Sequence, residues 1–400
     1  MAKNICVSKT GKIICIVLDG VGIGAAPDAH KYNDDEANTV CNTAKSAGGL
    51  NLPNLQKLGL GNVASVNGVP PCKKAAGCFG KMQEVSQGKD STTGHWEMAG
   101  LILEKDFPYY PNGFPEPLID KFCSVTGFQG VLGNKTASGT VIIEELGEQH
   151  MKTGLPIVYT SADSVFQIAA HEEVIPLDRQ YEICTIARNK VMIGEDAVGR
   201  VIARPFLGTV GNFKRTANRR DFSLEPFGPT MLDILFQNKI PTIGVGKIDD
   251  LFAGKGLSEK IHTKSNRQGI EETVAWAKKT AKGLIFTNLV DFDQLFGHRQ
   301  DAKGMKEALE FFDAQLPNIL ETLHDNDLLI ITADHGNDPT DNSTDHSREY
   351  VPLLTYSPKG KQGVNLGIRK TFADLGKTVA EYFGFEGREL KGSSFLSSIV

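Results

Sequence analysis

Short apolar runs recur towards both ends of this chain, and the two clearest stop at acidic residues. Ile13–Leu18 leads straight into Asp19, and Leu328–Thr332 is followed two residues on by Asp334 and His335. Such runs are too short for a buried helix and the right length for a buried strand. Helical patterns separate the others. Pro53–Leu58 reads as a short helix with proline in its first turn. The residues around Ile234 read as a helix, Pro241–Val245 as a strand, Glu271–Lys279 as a helix and Gly283–Leu289 as a strand. A long helix follows, with Met305, Leu309, Phe312, Leu316 and Leu320 on one face, and Pro317 is expected to kink or break it. Val351–Tyr356 is a further strand and Phe372–Phe383 a closing helix. Strands alternating with helices predict an α/β fold, a mostly parallel sheet flanked on both faces by helices.

The middle of the chain breaks this alternation. It opens on a proline- and glycine-rich patch, Phe107 to Pro117, and continues with short strands at Ile157–Thr160 and Val201–Ala203 and one helix, Tyr181–Lys190. We read residues 106–221 as a second domain, α+β in character, inserted into a discontinuous first domain of residues 1–105 and 222–400.

Composition bounds the function classes. A hydrophobic content of 40% with 23% charged residues in 400 suits a globular chain with a sizeable core. The formal charge of −5 and the lack of a long basic run argue against nucleic acid or a membrane surface as partner. Ile13–Leu18 is too short for a signal segment or a span, so the cytoplasm is the expected compartment. Seven scattered cysteines, odd in number and without close pairs, fit reduced thiols there.

Four segments carry candidate chemistry. Asp19 ends a strand and is followed by Gly20, Gly22 and Gly24, a string that superficially matches a dinucleotide fingerprint. A carboxylate immediately before the loop would repel a pyrophosphate, so we take the glycines as a sharp turn that lets Asp19 face a cation. On its own, Asp19 would be read as a helix cap. Asp334-His335-Gly336-Asn337-Asp338 also follows a strand, where open α/β sheets bind ligands, and Gly336 allows the turn that two adjacent ligands need. A polar turn with one satisfied histidine is the plainer alternative, and His346, next to Asp345 in a polar loop, tips the balance to metal. Asp293 and His298 form another carboxylate–imidazole pair across what reads as a turn, with Asp291 a competitor that spacing cannot separate from Asp293. Mixed oxygen and imidazole ligands suit Zn²⁺ or Mn²⁺ better than Ca²⁺, and their number suggests two ions. The remaining segment is Gly88-Lys-Asp-Ser-Thr-Thr-Gly-His-Trp-Glu97. Its hydroxyls could serve as a helix cap, but beside two dications one of them becomes a nucleophile at neutral pH. If Ser91 starts a helix, that end also favours a bound phosphate.

Taken together, these strings resemble the phosphopentomutases of the alkaline phosphatase superfamily over nearly the whole chain. They are Asp19-Gly-Val-Gly-Ile-Gly, Gly88 to Glu97, Tyr159-Thr-Ser-Ala-Asp-Ser164, Asn288 to Asp293 with Gly297-His298, and Thr332 to Asp338 with Thr344-Asp-His346. The resemblance implies an alkaline phosphatase-like core with an inserted cap. Asp19, Asp334 and His335 are then similar to the ligands of one Mn²⁺, and Asp293, His298 and His346 to those of a second. It favours Asp293 over Asp291. Ser91, where the family usually carries threonine, matches the residue that accepts the phosphoryl group and abuts the metals. Asp163 and Arg200 match positions that hold the sugar, and Arg215 and Lys247 are candidates for the distal phosphate. The implied activity interconverts ribose (or 2-deoxyribose) 1-phosphate and 5-phosphate through a phosphoserine and a ribose 1,5-bisphosphate, primed by a sugar bisphosphate such as glucose 1,6-bisphosphate. Its expected partners are small pentose phosphates. The rival readings are a cofactor-independent phosphoglycerate mutase-like enzyme or phosphatase on the same core, and a non-catalytic metal- or sugar-phosphate-binding protein.

Overall fold

In a computed structural model of the chain, which describes residues 11–161 and 164–400, the run that opens the sequence is the centre of the larger sheet. Lys12–Leu18 is buried at every position and pairs in parallel with Gly283–Leu289 on one side and Leu328–Thr332 on the other. Continuous rather than alternating burial is what a strand shows when both faces of its sheet are covered. The eight strands lie in the order Glu259–Ile261, Thr242–Val245, Gly283–Leu289, Lys12–Leu18, Leu328–Thr332, Val351–Tyr356, Cys78–Met82 and Asn365–Arg369. Val351–Tyr356 runs antiparallel to both neighbours, and the other pairs are parallel. The one charge at the start of the central strand is neutralised in place: Lys12 Nζ lies 2.6 Å from Asp327 Oδ2, both side chains buried.

The helix Ala302–Leu320 buries Met305, Leu309, Phe312 and Leu316 and passes through Pro317 without ending. The expected break is averted by a substitute donor. Proline removes the N–H that would serve the carbonyl four residues back, and that carbonyl, on Asp313, accepts from Asn54 Nδ2 at 2.9 Å. The Asp313 carboxylate in turn accepts from the backbone of Asn54 and Leu55 at 3.0 and 2.7 Å, capping the helix Pro53–Leu58.

The chain divides into two units, Asp106–Glu225 and the residues on either side of it. The return falls after the strand Arg220–Ser223, which pairs with Arg200–Leu207. That second unit has its own sheet, in the order Leu132–Thr136, Ile157–Thr160, Val165–His171, Arg200–Leu207, Lys214–Arg215. Phe122, Phe166 and Ile183 pack in one apolar cluster, and Ile142, Ile157 and Phe206 in another. Where the sequence suggests one helix, the described residues of the unit form three of ten residues or more: Glu116–Thr126, Gly139–Thr153 and Leu177–Ile186, the last continuing as a π-helical turn over Ala187–Val191. Among the described residues no helix is long and apolar enough to cross a membrane, and six cysteines are free thiols.

Candidate active site

Strand register explains why residues hundreds of positions apart meet. Leu18 stands beside Leu289, and Val17 beside Thr332. Asp19, the segment after Leu289 and Ala333-Asp334-His335 therefore leave three adjacent parallel strands at one edge, the carboxyl edge where such sheets bind ligands. Gly20 turns the chain away at φ +76°, and a side chain there would press on Asn337 and Asp293. Its N–H donates to Asp334 Oδ1 at 3.1 Å.

The segment expected as a turn between Asp293 and His298 is instead π-helical over Phe292–Gly297, with His298 N–H donating to the Asp293 carbonyl at 3.0 Å. Such wide turns recur at functional sites. This one returns His298 Nε2 to 3.4 Å from Asp293 Oδ2. Asp291 points elsewhere: its Oδ2 accepts from Asn266 N at 2.7 Å, at the start of the helix Asn266–Lys279.

Two histidines have their tautomers set by carbonyls, which can only accept. His335 Nδ1–H donates to Gly336 O at 3.0 Å and His298 Nδ1–H to Thr344 O at 2.7 Å, so Nε2 is the ring nitrogen that each turns to the carboxylates. His335 Nε2 lies 3.4 Å from both Asp19 Oδ1 and Asp334 Oδ2, and His346 Nε2 lies 3.3 Å from Asp293 Oδ1. Ligand atoms of Asp19, Asp334 and His335 fall within 4.8 Å of one another, as do those of Asp293, His335 and His346. His335 belongs to both gatherings, and His298 stands beside the second. A third group, Asp249, Asp250 and His262, is a surface ion-pair cluster in which Asp249 already holds Lys260 at 2.9 Å and His262 at 3.2 Å.

Ser91 is the first residue of the helix Ser91–Met98. Its predecessor Asp90 supplies the cap, accepting from Thr92 N and Thr93 N at 2.8 and 3.2 Å. Freed of capping, Ser91 Oγ lies 3.4 Å from Asp19 Oδ1 and 3.2 Å from His335 Nε2.

The electrostatics are those of a cation site. Burial alone would raise the pKa of Asp19, but the Lys247 ammonium 3.0 Å from its Oδ2 and the nearby His335 hold it below the usual carboxylate range. Asp293 is likewise held well below that range, burial being outweighed by His346, His298 and Lys247. Burial works against a charged His335, and Asp334, Asp19 and Asp293 override it to raise its pKa well above the ordinary value. Three buried carboxylates converge here, and only cations beside them, Lys247 and His335 among them, offset the cost of burying that charge. Asp334 Oδ2 and His346 Nε2 are buried without a hydrogen-bond partner. Orphaned carboxylate and imidazole atoms of this kind are what divalent metal ligands look like, and the residues fit that role.

Three supporting side chains were not singled out as site residues from the sequence. Asn288 Nδ2 donates to Asp19 Oδ2 at 3.0 Å, and Asn337 Nδ2 to Asp293 Oδ1 at 2.8 Å, each fixing a carboxylate's orientation. His95, one turn after Ser91, gives its Nδ1–H to the Ser91 carbonyl at 2.8 Å and lies 3.2 Å from Asp334 Oδ2. Its spacing from Ser91 was the available signal. Of the sequence-derived substrate candidates, Lys247 is 3.0 Å from Asp19 and 3.8 Å from Asp293. Arg200 and Arg215 lie on strands of the second unit, Arg200 3.5 Å from Asp221 and Arg215 exposed. Asp163 lies outside the described residues.

Residues 11–387 match the family model of the metalloenzyme superfamily. Among curated proteins the chain is similar to a phosphopentomutase of Dictyoglomus turgidum, 62% identical over 388 residues that cover 97% of this chain and 98% of that one. A phosphopentomutase of Carboxydothermus hydrogenoformans is 62% identical over 94% of this chain and 96% of its own. One from Clostridium novyi is 57% identical over 97% and 99%.

Proposed function

Because the chain belongs to the phosphopentomutases of the metalloenzyme superfamily, we propose that it interconverts ribose or 2-deoxyribose 1-phosphate and the corresponding 5-phosphate, in the cytoplasm, with Ser91 as phosphoryl carrier. The observation that carries this reading is the place of Ser91 Oγ, within 3.4 Å of Asp19 Oδ1 and 3.2 Å of His335 Nε2 at the head of a helix.

Asp19, Asp334 and His335 would hold one divalent ion and Asp293, His298 and His346 the other, Mn²⁺ being the proposed metal, with Ser91 abutting both. When bound, such ions offset charge on a transferring phosphoryl group and lower the pKa of a neighbouring hydroxyl. The chain's own residues do the rest. Starting from phospho-Ser91, a sugar hydroxyl oxygen bonds to phosphorus as the bond from phosphorus to Oγ breaks, and the hydroxyl proton ends on Ser91 Oγ. The product is a ribose 1,5-bisphosphate. Reversing these events with its other phosphate restores phospho-Ser91 and releases the isomer. The positive end of the Ser91–Met98 helix favours a phosphoryl group on its first residue. Asp163 and Arg200 are assigned to the sugar, Arg215 and Lys247 to the second phosphate. An unphosphorylated chain would be loaded by a sugar bisphosphate such as glucose 1,6-bisphosphate.

Ser91→Ala tests the assignment. Mutase activity on ribose 1-phosphate with Mn²⁺ and a bisphosphate primer should vanish, with metal content by mass spectrometry unchanged. Undiminished activity, or phosphate found on another residue, refutes it. Assays of 3-phosphoglycerate and p-nitrophenyl phosphate beside the pentose phosphate separate a mutase of pentoses from its relatives.

A further inference from the structure

Arg348 stands two residues beyond His346, and its side chain is fully buried. A guanidinium taken out of water needs acceptors for five N–H groups in a fixed plane. Arg348 finds them on two segments, one at Asp28 and the other from Glu84 to Gly88. Its Nη1 donates to Glu84 Oε2 and to the Gly88 carbonyl, each at 2.7 Å. Its Nη2 donates to the Glu84 carbonyl and to Asp28 Oδ2, each at 3.1 Å, and Nε reaches Asp28 Oδ1 at 3.2 Å. Around this fork the same two segments are joined again. The Arg348 backbone N–H donates to Asp34 Oδ2 at 2.8 Å, and that oxygen also takes the Lys89 ammonium at 3.2 Å. Lys89 Nζ lies 3.4 Å from Asp345 Oδ2, and the Gly88 N–H donates to the Tyr32 hydroxyl at 3.3 Å.

Of these groups only Asp345 touches a candidate metal ligand, its Oδ1 accepting the His346 backbone N–H at 2.9 Å, and together they fix what lies on either side of Ser91 and the ligands. Gly88 and Lys89 lead into Ser91, and Asp345 and Arg348 flank His346. We propose that Arg348 is a positioning residue for phosphoryl transfer: its guanidinium ties the segment Gly88–Asp90, which presents Ser91, to the segment 345–348, which carries His346, and so holds nucleophile and ligands at one separation. This rests on Ser91 being the phosphoryl carrier. Arginine is needed because a planar fork reaches the Gly88 carbonyl and the Glu84 carboxylate from one nitrogen while its other nitrogens hold Asp28. A lysine ammonium is a point charge that cannot span the same acceptors. A purely structural role is the competing explanation, and it makes a different prediction. Buried ion pairs add little stability over apolar replacements of similar volume, so removing the Glu84–Arg348 pair together should leave a folded protein, the partner Asp28 being partly exposed, in which the guanidinium's hold on Gly88 and Asp28 is lost.

The test compares the double variant Glu84→Gln/Arg348→Met with Arg348→Lys, measuring metal content, thermal unfolding, kcat and KM for ribose 1-phosphate, and phosphate on Ser91 after incubation with glucose 1,6-bisphosphate. A displacement of the nucleophile by about 1 Å is worth about 100-fold in rate. Both variants should therefore lose kcat by about that factor and load Ser91 more slowly. KM should stay within about threefold and the metal content unchanged, the pattern of an interaction expressed in the reacting state. A folded variant with kcat within about threefold of the parent overturns the inference, and so does one whose activity falls only because metal is lost. Should the double variant not fold, Arg348→Lys decides by the same criteria. Ser91→Ala runs in parallel. If that variant keeps mutase activity, the functional reading itself fails. If it is dead while the Arg348 variants are normal, only the positioning role falls.

Discussion

Gly94 shows at a single residue how tightly the nucleophile helix is set against the candidate metal ligands. It lies in the helix Ser91–Met98, and a Cβ at that position would run into the Asp334 carbonyl oxygen and approach its carbon at 2.9 Å. Alanine in place of glycine favours a helix by about 1 kcal/mol. Overpacking against backbone that cannot yield costs about 1–3 kcal/mol, so the collision prevails. Gly94→Ala is expected to lower the unfolding temperature and, by pushing Ser91 away from Asp334 and His335, to reduce kcat about 100-fold. A variant more stable than the parent with normal turnover would show that the helix can shift freely. The same residue marks a limit of sequence reading. Asp19, Asp293, Asp334 and the histidines were legible because ligand-type side chains stood just past strand-like runs, where a sheet edge collects them. Asn288, Asn337 and His95 sit inside a strand, a turn and a helix, and nothing in their spacing says which carboxylate each one meets.

Among the elements, the helix Ala302–Leu320 was legible from its apolar face, but its continuity was not. Pro317 signals a break that Asn54, some 260 positions earlier in the chain, forestalls by donating to the orphaned Asp313 carbonyl. A rule about neighbours cannot see a donor supplied from another helix. The two helices missed in the second unit failed for a related reason. Glu116–Thr126 begins within a proline-rich patch, and Gly139–Thr153 opens on one glycine and carries another, Gly147, against Phe213. Residues that argue against a helix locally were accepted because tertiary packing outweighs about 1 kcal/mol of propensity each. The Asn54 bond gives an element-scale test. Asn54→Ala should cost about 1–3 kcal/mol by leaving a buried carbonyl unserved. In a Pro317→Ala background, where residue 317 again has an N–H to offer, the same substitution should cost about 1 kcal/mol less. Chemical denaturation of the four proteins measures this coupling, and equal costs in both backgrounds would mean the carbonyl was satisfied otherwise.

At the scale of the whole molecule, the two units answer to different conditions, because their buried titratable groups differ. The candidate metal ligands all lie in the first unit. The second has His150, buried in the helix Gly139–Thr153 with both ring nitrogens committed. Nδ1–H donates to the Leu155 carbonyl at 2.7 Å, and Nε2 accepts the His171 N–H at 2.9 Å. A neutral ring satisfies both bonds, and a protonated one has no lone pair for His171. Burial accordingly keeps the pKa of His150 below its ordinary 6.5, against the pull of the Leu155 carbonyl. Between that lowered value and 6.5 the unfolded chain binds more protons than the folded one. The stability His150 contributes is therefore whole above pH 6.5 and is lost as the pH falls, at up to about 1.4 kcal/mol for each unit by which the pKa is depressed. Both tryptophans, Trp96 and Trp276, belong to the first unit, so their fluorescence is blind to this loss. Amide exchange across residues 139–171 should instead lose protection between pH 7.5 and 5.5, and His150→Gln, which cannot take up the proton, should remove most of that pH dependence. If the variant keeps the full acid response, the charge that loosens the second unit sits on some other group.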